Sequence, residues 1–487
     1  MAKQLVGICI MLLWLAAPAQ ANWHRAESDH FIIIAELDEA ELRERAIELE
    51  SLDRAMRAMT NTPDEPAELK LRVFMVTNVG EVGRYYGSGN AAGYYTPSMR
   101  GAYAVVPRRN VASGQLGMTS DNVLFHEYAH HFMAQFASGT YPSWYIEGFA
   151  ELFATAEMRG AEWVEIGRPL PRRVALYQIG RRLRMAEMLS NTVPNSDMTY
   201  SQGWMLTHYA AFNAEAGELL RQYLQALSDG VSGPDAYAST FGQMDEPLDR
   251  VLRDYGLGRR LPGLAQRITP IDPASVTITA LTDEDADIAM LFPRSPDQLE
   301  RRVRRLADRY PENPQIHVEL ARSLLADGET DAAIEAIDRA LELDPNNVDA
   351  NNMKGTQLLL MAHAEDDASH PNWNLAREHY LTANRANPRS ASALHGYFDS
   401  FPTPETRPDN AIDALESAFI LIPQNPHLRI DLANVYLARG DYRDALNAIM
   451  PVYQTPHSEP DDEIAQIVAA ARQGMTSDRP VSDADGE

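Results

Sequence analysis

The chain of 487 residues has one cysteine, Cys9, close to its start. Disulfide staples are thereby excluded, and so are thiolate-held metals. Any catalytic ion must be bound by histidine and carboxylate. Positive charge is also scarce: lysine and arginine total 43 against 69 acidic residues, a formal net charge of −26. Such a surface repels nucleic acid and anionic lipid headgroups, so no nucleic-acid partner is expected. After Ala21 no apolar run comes near the roughly 20 residues that span a bilayer. The chain is 45% hydrophobic and 23% charged, an ordinary globular balance with enough length for two or three domains.

The one apolar run, Leu5 to Ala17, follows Lys3 and precedes Ala19-Gln20-Ala21. A short apolar segment behind a positive charge, ending in small-x-small, reads as a secretory signal peptide over 1–21, cleaved after Ala21. The cleaved chain is expected to have no membrane span.

Residues 22–260 read as an α+β domain, strands first and helices after. HFIIIA (30–35), LKLRVFMV (69–76) and GAYAVVPRR (101–109) are the expected strands. Apolar residues at Leu42, Ala46, Leu49, Leu52, Met56 and Met59 mark a helix over 38–60. Two more helices are expected near 120–137 and 143–159, because Ser120, Asp121 and Ser143 are good caps and Gly139 and Gly160 are stops. A proline-rich, acidic stretch over 261–299 is expected as a connector with one short strand, and the polar end, 476–487, as a disordered tail.

Over 300–475 the chain repeats. GETDAAIEAIDRALELDPNN is echoed around 372–388, 407–426 and 440–453. Pro311, Pro345, Pro388 and Pro423 punctuate the units. Small residues recur at Ala333 and Ala340, Ala376 and Ala383, Ala411 and Ala418, and Ala445, where paired helices must approach closely. Such units bury their apolar faces only by stacking. The pattern resembles tetratricopeptide repeats, which implies an all-α solenoid that binds a protein partner.

The chemistry lies in VLFHEYAHHFM, 123–133. On a helix, positions four apart share a face, so His126 and His130 can aim at one ion with Glu127 beside them. His131 is turned off that face. A catalytic ion needs a third protein ligand. A third histidine after a glycine turn is absent, since Met133 and Phe136 occupy those places. SWYIEGFAELF, on the next helix, offers Glu147 and Glu151.

H-E-x-x-H followed by W-x-x-E-G-x-A-E resembles the gluzincin zinc peptidases, and is similar to aminopeptidase N and to bacterial peptidase-MA-like domains. The resemblance implies a zincin-like fold with Zn2+ held by His126, His130 and Glu147. It makes Glu127 general base and then proton shuttle. It places Glu151 behind the ligands, accepting a hydrogen bond from a ligand histidine. MTYSQGWMLTHYAAF resembles a Y-x-x-G-x-x-L stretch, which gives Tyr200 the role of oxyanion donor; His208 is a second candidate. The chain departs from aminopeptidase N in its shorter spacing between His130 and Glu147 and in lacking G-x-M-E-N. The strand GAYAVVPRR is expected to take that place as an edge for β-addition of an extended peptide.

The expected architecture is thus an α+β zincin-like metallopeptidase domain followed by a tetratricopeptide solenoid. The leading expectation is an exported zinc peptidase of a bacterial periplasm that hydrolyses peptide or protein substrates, with repeats that recruit substrate or partner. The alternative is an envelope interaction scaffold whose zinc-stabilised front module is weakly active or inactive.

Overall fold

The computed structural model describes residues 23–477 apart from 88–90, 110–117, 137–138, 140, 191–195, 259–260, 296–297, 366 and 454–461. The expected signal peptide and residues 478–487 of the expected tail lie outside the described residues.

The front of the chain builds a six-stranded sheet. Its strands are β1 (His24–Glu27), β2 (Phe31–Ala35), β3 (Leu71–Val76), β4 (Tyr94–Thr96), β5 (Tyr103–Pro107) and, much later, β9 (Thr277–Ala280), in the order β4-β5-β3-β2-β1-β9. β2, β3 and β5 run parallel, and the flanking strands are antiparallel. Parallel strands need cover on both faces, and the period of two supplies it. Ile33, Val73 and Ala104 join one core with Leu42, Leu49, Val123 and Tyr128. Their neighbours Ile34, Phe74 and Val105 join a second core with Val82, Tyr85 and Met290 on the opposite face.

The helices that cover the first face are α1 (Glu39–Thr60), capped by Asp38, and α3 (Ser120–Phe136). The short α2 (Val79–Tyr86) covers the other. α4 (Ser143–Ala154) packs against α3 and stops five residues before the expected end. Its continuation turns into a strand because Met158 pairs with Val164. That pair belongs to a small sheet of β6 (Glu157–Met158), β7 (Trp163–Ile166) and β8 (Leu264–Arg267). A helical layer follows: α5 (Pro171–Ile179), α6 (Met185–Leu189), α7 (Asp197–Phe212), α8 (Ala214–Ser228), α9 (Gly233–Ser239) and α10 (Leu248–Gly256). Trp144, Trp204, Tyr223 and Phe241 fill its core.

The segment 261–299 is more than a connector. β8 completes the small sheet and β9 adds an outer strand to the main one, while α11 (Asp283–Ala289) leads onward. The front domain therefore reaches past residue 280.

The repeats are α12 (Glu300–Arg309), α13 (Pro314–Ala326), α14 (Thr330–Leu343), α15 (Val348–Ala364), α16 (Asn372–Ala386), α17 (Ala391–Asp399), α18 (Asp409–Leu421), α19 (Pro426–Arg439), α20 (Tyr442–Tyr453) and α21 (Asp462–Ser477). Each punctuating proline stands two residues past one helix and two before the cap of the next. Asn313, Asn347, Ser390 and Asn425 are those caps, each accepting a backbone N–H bond. The seven recurrent alanines are fully buried.

The solenoid lies against the front domain rather than trailing from it. Arg100 reaches Glu319 at 2.6 Å and Asp349 at 2.8 Å. Leu69 and Met99 pack into the repeat core around Phe398 and Leu415. Gln135 Nε2 donates to Ile420 O at 3.0 Å, and Arg472 Nη2 to Gly230 O at 3.2 Å.

Candidate metal centre

His126 and His130 lie one turn apart on α3, and their Nε2 atoms face each other at 3.1 Å. Glu147, on α4, brings Oε2 to 3.4 Å from the first and 3.6 Å from the second. A tetrahedral ion with ligand bonds near 2.0–2.2 Å holds its donors about 3.3–3.6 Å apart, which the two distances to Glu147 match and the nitrogen pair, slightly closer, approaches. The triangle of two imidazole nitrogens and one carboxylate oxygen therefore fits a small tetrahedral cation. Glu147 is brought to α3 by the short link between the helices. It is held there by α7, where Gly148 and Gly203 let the backbones touch: a Cβ on Gly148 would fall 2.6 Å from Gly203 O, and one on Gly203 would fall 2.2 Å from Trp144 O.

The electrostatics of the chain by itself point the same way. Burial disfavours charge on both histidines. In His126 the hydrogen bond to Glu147 and the charges of Glu151, Glu147 and Glu127 outweigh it, and its pKa rises to about 9. In His130 burial dominates, with repulsion from His126, and the value falls to about 4. One proton is thus shared where two nitrogens converge. Burial tends to raise Glu147, but the two histidines and Arg173 hold its carboxyl below the ordinary range. Glu127 is pushed up to about 7, mainly by burial and also by Glu147, with His126 and a Tyr95 backbone hydrogen bond opposing.

Glu127 and Tyr200 open onto the same cavity as the triad. Tyr200 is raised to about 12, chiefly by burial, so its phenol stays protonated. The Arg173 guanidinium sits 5.4 Å from its ring centre. Glu151 departs from expectation. Its Oε1 accepts from Arg173 Nε at 2.9 Å and from Nη2, not from a ligand histidine, because the guanidinium occupies the side of α4 that Glu151 faces. Its charge still reaches His126. His208 is not in the cavity. It is fully buried, bonded to Tyr255 Oη at 2.8 Å and to Gly167 O at 2.9 Å, and cannot reach an oxyanion there. His131 stands off the ligand face, 3.3 Å from the Tyr95 hydroxyl.

The expected edge strand is also displaced by one. β5, within 101–109, is interior, paired to β3 on one side and β4 on the other. The edge beside the triad is β4, and its approach lies flush on α3: a Cβ on Gly93 would fall 2.3 Å from Val123 and 3.1 Å from Glu127 Oε1.

The cavity holds ≈ 1480 Å³, and its far wall comes from the repeats: Gln424, Pro426, Arg429, Pro451, Val452 and Ile464. Gln424 Nε2 donates to the Tyr95 hydroxyl. Sequence reading missed this wall and Tyr95. The signal for Tyr95 is the tyrosine- and glycine-rich stretch GRYYGSGNAAGYYTP, which reads as loop but contains β4.

Two stretches, 300–348 and 405–470, match tetratricopeptide-repeat family models. These are tetratricopeptide repeats. Both matches lie beyond residue 299. Among solved structures the chain is similar to a thermophilic TPR protein of Thermus thermophilus, at 21% identity and a TM-score of 0.32, covering 39% of this chain and 99% of that one. It is similar to PilF of Pseudomonas aeruginosa at 17% identity and a TM-score of 0.31, covering 40% and 87%. MamA from Desulfovibrio magneticus RS-1 follows at 18% and 0.26, covering 41% and 100%. No curated protein matches the chain. The repeats suggest a role in protein–protein interaction. Among the described residues no helix is long and apolar enough to cross a membrane.

Proposed function

We propose that the chain engages protein partners through its repeats and a zinc ion through His126, His130 and Glu147, and that the centre so formed hydrolyses peptide bonds. The observation that carries the second half is the convergent triangle of donors with Glu127 beside it in one cavity. The repeats carry the first half.

When bound, the ion supplies Lewis acidity, which polarises a carbonyl and makes water acidic near neutral pH. The chain's own residues do the rest. Glu127 takes the proton of the attacking water and passes it to the leaving amine. Tyr200 donates its phenolic hydrogen to the oxygen on which charge develops, an interaction strongest in the transition state. β4 offers backbone groups to an extended peptide lying along the cavity. Arg173 positions Tyr200 and Glu151 behind the ligands.

The second reading is an interaction scaffold whose zinc site only stabilises the front domain. The repeat matches favour it over hydrolysis, since they speak for binding and carry nothing about chemistry. Glu127 separates the two, for a purely structural site has no use for a base beside the ligands. The test is elemental analysis of purified protein, with peptide cleavage measured for native chain and Glu127→Gln. About one zinc per chain, with cleavage lost only in the variant, supports hydrolysis. One zinc without cleavage in either leaves the scaffold. No zinc removes both readings of the site. An exported, periplasmic location belongs to the same proposal and rests on the N-terminal sequence and the family resemblance.

A further inference from the structure

Among the described residues Arg429 is a cavity-lining cation with no carboxylate partner. It sits in the first turn of α19, is 9% exposed, and stands between the cavity that holds the metal triad and a second one, lined by Phe419 and Ala448. Nη1 donates to Ala448 O at 2.9 Å, and the guanidinium lies 5.2 Å from the Phe419 ring centre. Among the described residues no carboxylate pairs with it. Its pKa is lowered to about 10, with burial as the cause. The contrast with its neighbours in the same cavity is plain, for Arg172 pairs with Asp197 and Arg173 with Glu151. Buried guanidinium groups are almost always matched by an anion, because desolvating a lone charge is costly. Close by, Gln424 presents a buried Oε1 with no hydrogen-bond donor, while its Nε2 is engaged by Tyr95.

We propose that Arg429 and Gln424 form an anion-recognition subsite on the repeat wall of the metal cavity, and that its ligand is a carboxylate carried by the bound peptide. The inference rests on the reading of the cavity as a peptide site and adds its specificity. A guanidinium takes a carboxylate through two parallel N–H bonds. Gln424 Oε1 accepts an adjacent peptide N–H. The bulk field of the protein opposes this preference, since a chain of net charge −26 repels acidic peptides. Preference for an acidic ligand must therefore come from a local cation. The subsite also explains why repeats and triad share one cavity: the solenoid would read the peptide while α3 and α4 hold the ion.

The test uses the full chain carrying Glu127→Gln and loaded with zinc, so that peptides bind without being cut. Three fluorescein-labelled alanine-rich octapeptides are compared by anisotropy. The first has a free C-terminal carboxylate and no acidic side chain. The second is amidated with two glutamates, and the third is amidated with two glutamines. At least one of the carboxylate peptides is expected to bind about ten-fold or more tightly than the neutral one, and which of the two does so names the source of the anion. Adding Arg429→Gln should abolish that preference with zinc content unchanged, and Arg429→Lys should restore part of it. Equal binding of all three peptides overturns the proposal without any need for the Arg429 variants. So does a preference that survives Arg429→Gln. A preference in a native chain that cuts nothing leaves the subsite standing and removes hydrolysis. Cleavage by the native chain without preference does the reverse.

Discussion

Among the described residues three clusters of histidine and carboxylate bring donor atoms within 4.8 Å of one another, and they are built differently. In His30, Asp53 and Asp64 the charge is already balanced. His30 Nδ1 meets Glu50 at 2.7 Å, and its Nε2 donates to Glu65 O at 2.8 Å. Arg57 holds Asp53 at 2.7 Å, and Arg54 holds Asp64 at 3.0 Å. His395 likewise directs both nitrogens at carboxylates, Asp431 at 2.7 Å and Asp399 at 3.5 Å, with Arg407 adding positive charge nearby. With acceptors on both sides, these imidazoles serve as the cation. In the third cluster two imidazole nitrogens face each other and one carboxylate. There the two imidazole nitrogens converge on each other and on a single carboxylate oxygen, instead of each meeting a carboxylate or carbonyl of its own. Composition alone does not separate the clusters; the direction of the nitrogens does.

The sharpest test of this contrast is Glu127→Gln. It should keep about one zinc per chain and lower peptide turnover by roughly 10²–10⁴-fold, read from initial rates beside elemental analysis. Next, Glu147→Ala should lose zinc on gel filtration, while Asp53→Asn and His395→Ala retain it. Zinc lost equally from all three would erase the distinction between the clusters. Third, His30→Ala should destabilise the protein by about 3–5 kcal/mol, the cost of leaving a buried charge unpaired.

That loss should depend on pH. His30 is raised above 6.5: burial opposes the charge, but the Glu50 hydrogen bond and the Asp53 charge outweigh it. Its contribution is complete below pH 6.5 and disappears as pH climbs through the higher folded value. Glu50 is lowered from 4.5 despite burial, through the His30 hydrogen bond, so its share is present above that pH and is lost in acid. Denaturant titrations should therefore show the widest gap between native and variant at about pH 5–6.5. A gap that grows steadily into alkali would contradict the imidazolium reading. Last, Gly148→Ala should cost about 1–3 kcal/mol by forcing α4 off α7. It should lower turnover with zinc content nearly unchanged, because the shift falls between Glu147 and Tyr200.

Local pattern carried much of this into the sequence. His126 and His130 share a face by helix periodicity alone, and Glu147 falls beside them because the link to α4 is short. The glycines of both quoted motifs, Gly148 and Gly203, turn out to be each other's contact. The repeats were legible from Pro311, Pro345, Pro388 and Pro423, whose regular offset from each cap is local chemistry. What was hidden depends on distant partners. The partner of Glu151 is Arg173, 22 residues on, and no helical period reveals it. Whether GAYAVVPRR is an edge or an interior strand depends on three residues, Tyr94–Thr96, too few to show alternation. The repeat wall brings Gln424 to Tyr95 across 329 positions. Where one short strand is expected in 261–299 there are two, β8 and β9, because both are short, mostly exposed and set among prolines.

The pairing of Glu27 with Thr277 sets a timetable for the nascent chain. β1 emerges first and β9 only after the triad and the whole helical layer have followed. Until then the outer side of β1 is an unpaired edge, open to any passing strand. A chain cut at 260 would keep that edge for good and should aggregate, whereas one cut at 290 should close it. The earliest strand of the sheet thus waits for one of the last pieces of the front domain to seal its outer side.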